Sequence, residues 1–265
     1  MCLNIILVLY NQKISYAHSF KKAVFYICDN STNSETKAYN KKYCDDYNMT
    51  YVDMQGNVGL PKAYNAAISK IEKNMENWII ILDQDTELSP NFLEKYELAI
   101  RNNAEKKIFL PIIRDAEGIM SPTKKTGLGF SHSKLVEFNK NVDNYSFINS
   151  GMCINSTIFE SVHYDENLFL DLVDHDFVET VRQVYGNGIF YIIQNLEIFQ
   201  NFSGVTKNSL QSDLTRFEIL IKDQTYFYKK NYDNIVYSKW KLFLRALKLV
   251  IQHKNMVFFK LLGAK

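Results

Sequence analysis

Trp78-Ile79-Ile80-Ile81-Leu82-Asp83-Gln84-Asp85 decides the fold. Five large apolar residues in a row are too few for a confident helix and too uniformly apolar for a half-exposed strand. They predict a central strand covered on both faces. Working outward, Met49–Met54, Ala23–Cys28 and Leu3–Tyr10 read as three further strands. Between them lie helix-compatible stretches: a polar one reaching Tyr47, one opened by Pro61 with Ala63, Ala66, Ala67 and Ile71 on one face, and one opened by Pro90 with Phe92, Leu93, Tyr96 and Ile100. Proline in a first turn and this apolar period both mark helices. Alternating strands and helices predict an α/β fold, a doubly wound and mainly parallel sheet flanked by helices.

Length and composition agree. The chain has 265 residues, 46% of them hydrophobic, and only 10 Gly and 4 Pro. That suffices for one large core and excludes a disordered or collagen-like chain. A net charge of +2, from 31 Lys and Arg against 29 Asp and Glu, gives no reason to expect nucleic acid as a partner. No apolar run reaches the roughly 20 residues that span a bilayer. The first residues lack the basic start and small-residue cleavage site of a signal peptide. Cys2, Cys28, Cys44 and Cys153 are scattered, with no metal-finger spacing, and predict reduced, structural thiols in a cytosolic protein.

In doubly wound sheets ligands bind beyond the carboxyl ends of the strands. Here those ends carry Tyr10-Asn11, Asp29-Asn30, Gly56-Asn57 and Asp83-Gln84-Asp85. Two carboxylates two apart can hold a hard divalent cation through oxygen, though such a triplet alone is as easily a pair of helix caps. Asn57-Val58-Gly59 followed by Lys62 could present backbone donors and a point charge to an anion, or simply form a capped turn. Farther on, Asp171, Asp174 and Asp176 crowd beside apolar Phe169-Leu170 and Phe177-Val178. A carboxylate on an apolar surface can serve as a general base, while acids in the first turn of a helix are favoured by its dipole. Both readings hold together if Asp176 caps and Asp174 reaches substrate. His175 reads as an exposed or satisfied histidine more than as a ligand.

These pieces, in order, resemble the family-2 glycosyltransferases, inverting enzymes of the GT-A fold, and within them a bacterial rhamnosyltransferase-like branch. The resemblance rests on Tyr10-Asn11, Cys28-Asp29-Asn30-Ser31, Asn57-Val58-Gly59 with Ala63 and Asn65, Leu82-Asp83-Gln84-Asp85-Thr86, Ser150-Gly151, and Phe169-Leu170-Asp171 with Asp174 and Asp176. It implies a nucleotide diphosphate sugar as donor, bound by Tyr10, Asn11, Asp29, Asn57, Gly59, Lys62, Asp83 and Gln84. It implies Mn or Mg on Asp85, Asp174 as catalytic base, and Ser150, Gly151, Asp171 and Asp176 near a glycan acceptor, lipid-linked or polysaccharide. The family's metal-completing histidine has Asn201 in its place, in Asn201-Phe202-Ser203-Gly204; an amide oxygen binds a hard cation more weakly. That departure motivates one alternative, a non-catalytic member that binds a glycan or a partner. A second, a nucleotidyltransferase, needs a Gly/Arg-rich loop after the first strand, which Asn11–Lys22 lacks; that short stretch leaves room for a helix of only a turn or two.

The second half is less regular. Ile108–Ile113, Phe147–Ile154 and Ile189–Ile193 are strand candidates, Val173–Val184 is a helix stopped by Gly186-Asn187-Gly188, and 209–231 looks helical. No repeat or linker appears. The expected organisation is a catalytic domain over 1–235, with a nucleotide lobe to about 105 and an acceptor lobe over 106–208, followed by a basic helix over 236–265. From Lys239 onward there are seven basic residues and no acid. Lys241, Arg245 and Lys248 form a stripe, with Trp240, Phe243, Leu244, Leu247, Val250 and Ile251 on the other faces. Residues 239–262 could lie on an anionic membrane surface or pack on the body. The first suits a cytoplasmic enzyme peripheral to the inner face of a membrane.

Overall fold

The computed structural model describes residues 1–14, 17, 20, 22–84, 86, 89, 91–126, 129–130, 142–200 and 209–263. The expected strands of the first half form β1 (Cys2–Leu9), β2 (Ala23–Asp29), β3 (Thr50–Asp53) and β4 (Asn77–Leu82), and between and after them run α1 (Ser34–Asp46), α2 (Leu60–Ile68) and α3 (Phe92–Asn102). The second half adds β5 (Ile108–Asp115), β6 (Gly118–Ser121), β7 (Thr123–Thr126), β8 (Gly129–Phe130), β9 (Tyr145–Ser146), β10 (Cys153–Asn155), α4 (Val173–Tyr185), β11 (Phe190–Phe199), α5 (Leu210–Tyr232), α6 (Ile235–His253) and α7 (Val257–Gly263).

The main sheet runs β11-β5-β10-β4-β1-β2-β3, with β6 on β5. β4 is central, as its composition requires, and β1 pairs in parallel with both β4 and β2. The departures are β10, antiparallel to β4 and β5, and β6, antiparallel to β5. Side chains of β1 alternate between two cores. Ile6 and Val8 join Ala63, Ala67, Val173 and Phe177 on one face, while Ile5, Leu7 and Leu9 join Tyr43, Phe92 and Tyr96 on the other. That is the period of two expected of a strand buried on both sides. Alanines at 63 and 67 bring α2 close enough for the Cys28 thiol to donate to the Ala63 carbonyl at 3.2 Å. All four cysteines are free, and burial pushes the Cys28 thiol up to about 12.

Two expectations fail for clear reasons. Phe147–Ile154 is not one strand; only Cys153–Asn155 pairs, because Ser150-Gly151 turns the chain, with Gly151 at φ 75°. The tail is not one helix. Lys254 adopts a left-handed conformation, φ 50°, that ends α6 and lets α7 fold back. Phe258 of α7 then joins Phe217, Ile221, Leu242, Ala246 and Leu249 in a third apolar cluster between α5 and α6. α6 thus packs on the body through Leu242, Ala246 and Leu249 while Trp240, Phe243, Leu244, Leu247 and Ile251 stay exposed. Lys241 leaves the expected basic stripe: it lies over the Tyr228 and Tyr237 rings and donates to the Tyr228 hydroxyl at 3.1 Å. Among the described residues no helix is long and apolar enough to cross a membrane.

Gly151 illustrates how tightly the turn before β10 packs against β5 and β11. A Cβ there would sit 2.5 Å from Ile198 Cδ1 and 2.7 Å from Pro111 Cγ. Gly151→Ala is expected to cost about 3 kcal/mol, from the left-handed backbone and the overpacking together. Chemical denaturation checks this; an unchanged midpoint would contradict it.

Candidate active site

The carboxyl ends of β1, β2 and β4 and the turn before α2 enclose a cleft of about 270 Å³ whose lining includes Tyr10, Asn30, Asn57, Gly59, Asp83 and Gln84. Five of these six were singled out in the sequence. Phe169 and Leu170 close the same cleft from the second half. Gln84 ties the rim together: its Oε1 accepts the Tyr10 backbone N–H at 2.9 Å, and its carbonyl accepts Gln12 Nε2 at 3.1 Å. Asn11, at φ 52°, uses its Oδ1 to accept the N–H groups of Thr32 and Asn33 at 2.9 and 3.1 Å.

Asp29 serves as a support beneath the rim. It has no exposed surface, and its oxygens accept the Ser31 N–H at 2.9 Å, Asn40 Nδ2 at 3.0 Å and the Tyr51 hydroxyl at 3.1 Å. Burial, and then that carboxylate, push the Tyr51 phenol above its usual range. The neighbouring Asn30, in the cleft wall, is 2% exposed and donates to the Gly59 carbonyl at 3.2 Å, and its Oδ1 has no partner among the described residues. In the sequence Asn30 stands inside the Cys28–Ser31 motif with no signal that marks it on its own. An unpaired buried amide oxygen costs free energy unless a ligand supplies a donor.

The start of α2 differs from expectation. Gly59, at φ 90°, lets Phe169 approach so closely that a Cβ would lie 2.8 Å from the Phe169 carbonyl oxygen. That carbonyl accepts the Leu60 N–H at 2.8 Å, and Asn57 Oδ1 accepts the Gly59 N–H at 3.3 Å. These donors are therefore spent within the protein and do not face an anion. Lys62 is exposed on the first turn and Asn57 is exposed on the rim.

Beneath Asp83, Gln200 at the end of β11 donates through Nε2 to Ser150 Oγ at 2.5 Å, with Asp83 Oδ2 and Thr86 Oγ1 both at 3.4 Å. Ser150 is 1% exposed and Gly151 is buried, so both brace the site from below, where an acceptor sugar cannot touch them. Gln200 was not anticipated, since a lone glutamine after a strand carries no motif. Its Oε1 has no partner among the described residues.

The acidic cluster separates into three roles. Asp171 is held by Arg216 through two bonds, one of 2.6 Å between Nη2 and Oδ1. Asp176 is 1% exposed and accepts from Lys230 Nζ at 2.8 Å and Asn231 Nδ2 at 2.9 Å. Thus Asp176 neither caps α4 nor faces an acceptor; the N-cap is Leu172, left-handed at φ 62°, with no side-chain cap bond. Asp174 is half-buried; its Oδ1 accepts the His175 N–H at 2.8 Å, and its Oδ2 meets no donor among the described residues. Burial pushes the Tyr64 phenol well up, and both Asp83 and Asp174 push it further, so the two carboxylates lie within electrostatic reach of one hydroxyl. His175 is satisfied, as expected: its Nδ1 meets Ser146 Oγ at 2.7 Å, its ring stacks on Phe130, and burial pushes its pKa down.

Helix α5 holds this loop. Buried Asp223 accepts the backbone N–H groups of Phe169 at 3.0 Å and of Leu170 and Asp171 at 2.8 Å each. Asp165, just upstream, accepts from Lys230 Nζ and the Tyr226 hydroxyl, each at 2.8 Å. Although burial pushes its carboxyl up, Lys230 and the Asn167 and Tyr226 donors win and hold it at about 2. The sign follows. Below pH 4 the unfolded chain takes up this proton first, so Asp165 stabilises the fold above about pH 4 and loses that contribution as pH falls through about 2. Asp165→Asn is expected to cost about 2 kcal/mol at neutral pH, with the gap to wild type closing toward pH 2. Denaturation at several pH values checks it; a gap independent of pH would contradict it.

The two residues expected to hold a cation, Asp85 and Asn201, lie outside the described residues, as does Gly204. Among the described residues no three His, Cys, Asp or Glu side chains converge as a metal site. Asp83 supplies carboxylate oxygens of the kind a hard divalent cation takes, and Gln200 Nε2 donates to one of them at 3.4 Å.

The structure of S. aureus TarS 1–349 superposes with a TM-score of 0.56 at 11% identity, covering 97% of this chain and 72% of that one. The same protein crystallised with UDP-GlcNAc gives 0.56 at 12% identity, covering 90% and 70%, and longer S. aureus TarS gives 0.54 at 13%, covering 90% and 42%. At such identity the likeness is one of fold, and that fold, a mostly parallel sheet between helices, is GT-A. No curated protein matches the chain in sequence. The glycosyl transferase family 2 pattern, however, matches residues 9–156, more than half the chain, spanning the rim from β1 to β10. The chain belongs to glycosyl transferase family 2.

Proposed function

We infer that the chain is an inverting transferase that moves a sugar, rhamnose being the candidate from the sequence resemblance, from a nucleotide diphosphate donor to a hydroxyl of a lipid-linked or polysaccharide acceptor in bacterial surface glycan synthesis. One observation carries the reading. Of the three acids in the 171–176 stretch, Asp171 and Asp176 are bound to cations, and Asp174 alone keeps a carboxylate oxygen without a donor among the described residues. A single displacement needs one such base. Asp174 would take the acceptor hydroxyl's proton as that oxygen bonds to the anomeric carbon. The anomeric bond to phosphate oxygen breaks on the opposite side, its electrons leaving with the nucleoside diphosphate and the sugar's configuration inverting.

Around the donor, Tyr10, Asn11, Asn57, Lys62, Asp83 and Gln84 are the proposed contacts, with Asn30 Oδ1 added as an acceptor for a ligand hydroxyl or N–H. Asp29, Gly59, Ser150 and Gly151 act by shaping that wall, and Asp171 and Asp176 by fixing the start of α4, which carries Asp174. A divalent cation on Asp83, Asp85 and Asn201, Mn or Mg, would offset charge on the departing diphosphate. UDP and UDP-GlcNAc occupy crystals of TarS, which makes a uridine nucleotide the first donor to try. The catalytic domain is taken to span 1–235, and the exposed face of α6 and the tail over 239–262 to rest on an anionic membrane surface at the cytoplasmic side.

Screening nucleotide sugars for thermal stabilisation and donor hydrolysis, with Mn²⁺ and with a chelator, tests the reading. The expected result is stabilisation by one nucleotide class and its loss in Asp83→Ala. Absence of any nucleotide binding under either condition would overturn it.

A further inference from the structure

Helices α5, α6 and α7 leave between them a second concavity, of about 750 Å³, within the range of small-ligand sites. Its floor and walls are apolar: Ile221 of α5, Leu242 and Phe243 of α6 and Leu262 of α7. Its margins carry Lys222 and Lys229 of α5 and Lys239 of α6. Lys222 and Lys229 stand seven residues apart, two turns or about 10 Å along one helix face. None of the three ammonium groups meets an acceptor among the described residues. The contrast with their neighbours is informative. Lys230, one residue on, is committed to Asp165 and Asp176, and Lys241, two residues from Lys239, to Tyr228. The groove thus combines an apolar interior with spare positive charge at its edge, and no acid lies from residue 239 to the end of the chain. Phe243 also belongs to the exposed face with Trp240, Leu244, Leu247 and Ile251, so the groove opens onto an apolar surface.

We propose that this groove takes the hydrocarbon chain of a single lipid whose headgroup carries phosphate, with Lys222, Lys229 and Lys239 on that phosphate. An apolar floor without charge would suit any hydrophobe, and charge without the floor would suit any anion. The pairing fits an anionic amphiphile, and the adjoining apolar face gives it a bilayer as source. The groove also reaches toward the transfer site. Asn167 and Tyr226 line it. Asn167 Nδ2 and the Tyr226 hydroxyl each donate to Asp165 at 2.8 Å, and Phe169 of the donor cleft follows two residues after Asn167. The binding itself does not depend on the transfer reaction and is measured without any sugar donor, so failure of one is distinguishable from failure of the other.

The test is calorimetry of the full chain with octyl, decyl and dodecyl phosphate below their micellar concentrations, against dodecyl maltoside and inorganic phosphate. The expected result is one site per chain that tightens roughly fourfold per methylene. In K222E/K229E/K239E it should weaken at least about tenfold while nucleotide binding and the melting temperature hold. Sedimentation with phosphatidylcholine vesicles should require added phosphatidylglycerol and should fail in the same variant. Equal binding of dodecyl maltoside, equal binding of inorganic phosphate, or unchanged affinity in the triple variant would overturn the proposal. A dimer that the amphiphile does not dissociate, and whose formation blocks the site, would assign the groove to a second copy of the chain instead.

Discussion

Replacing Asp174 with Asn is expected to slow sugar transfer by about 10²–10⁴-fold, the usual contribution of a positioned general base. The fold should survive. The side chain is half-buried and its one protein bond is to its neighbour's backbone N–H, which an amide oxygen can still accept. Stability should therefore stay within about 0.5 kcal/mol of wild type. Nucleotide affinity should be untouched, because Asp174 does not line the donor cleft. The informative experiment measures all three on the same preparation. Wild-type turnover in D174N, with the donor binding normally, would remove Asp174 from the reaction. Since Asp171 and Asp176 are each paired with basic side chains, neither is free to substitute.

Loss of the Asp223 carboxylate should cost nearly as much by a different route. Its two oxygens accept three consecutive backbone N–H groups, and no other acceptor for them occurs among the described residues. Asp223→Ala leaves those donors unpaired, at about 3 kcal/mol or more in stability. It also releases the loop that leads into Asp174 on α4, and a displacement of about 1 Å is worth about 100-fold in rate. Asp223→Asn separates the two effects. Its amide oxygen can serve the Leu170 and Asp171 donors while its nitrogen faces Phe169, so an intermediate loss in kcat/KM with most of the stability retained is expected. If Asp223→Ala destabilised the protein but left kcat intact, the carboxylate would be structural only.

The rim of the cleft was legible because it is made of strand ends. WIIIL and the other apolar runs fix where strands stop, and polar residues at those stops have one place to go. Position along the chain does not reveal depth. Asp29 and Ser150 sit in the right motifs, yet one lies under the rim with its oxygens filled and the other under Asp83 against Gln200. The reading of Gly59 missed its real use, since the close approach it permits is to Phe169, 110 positions away in the chain. Asp223 did leave a trace. It falls on the buried stripe of α5 with Phe217, Ile221 and Phe227, and an acid on such a stripe must have partners. Which partners it has is a matter of tertiary packing. The tail was half legible: its amphipathic period shows in the sequence, but the break at Lys254 depends on a conformation that lysine rarely takes.

The Phe169 peptide group is bonded on both sides, its carbonyl to the first residue of α2 and its N–H to Asp223 on α5. On the proposed mechanism, a nucleotide filling the cleft is expected to stiffen or shift the backbone that leads into Asp174. By thermodynamic reciprocity, whatever factor a nucleotide adds to acceptor affinity, the acceptor returns to the nucleotide. Kinetics with both substrates varied should give intersecting and not parallel reciprocal plots, since a single displacement needs donor and acceptor bound together, and the apparent affinity for each should change with the other.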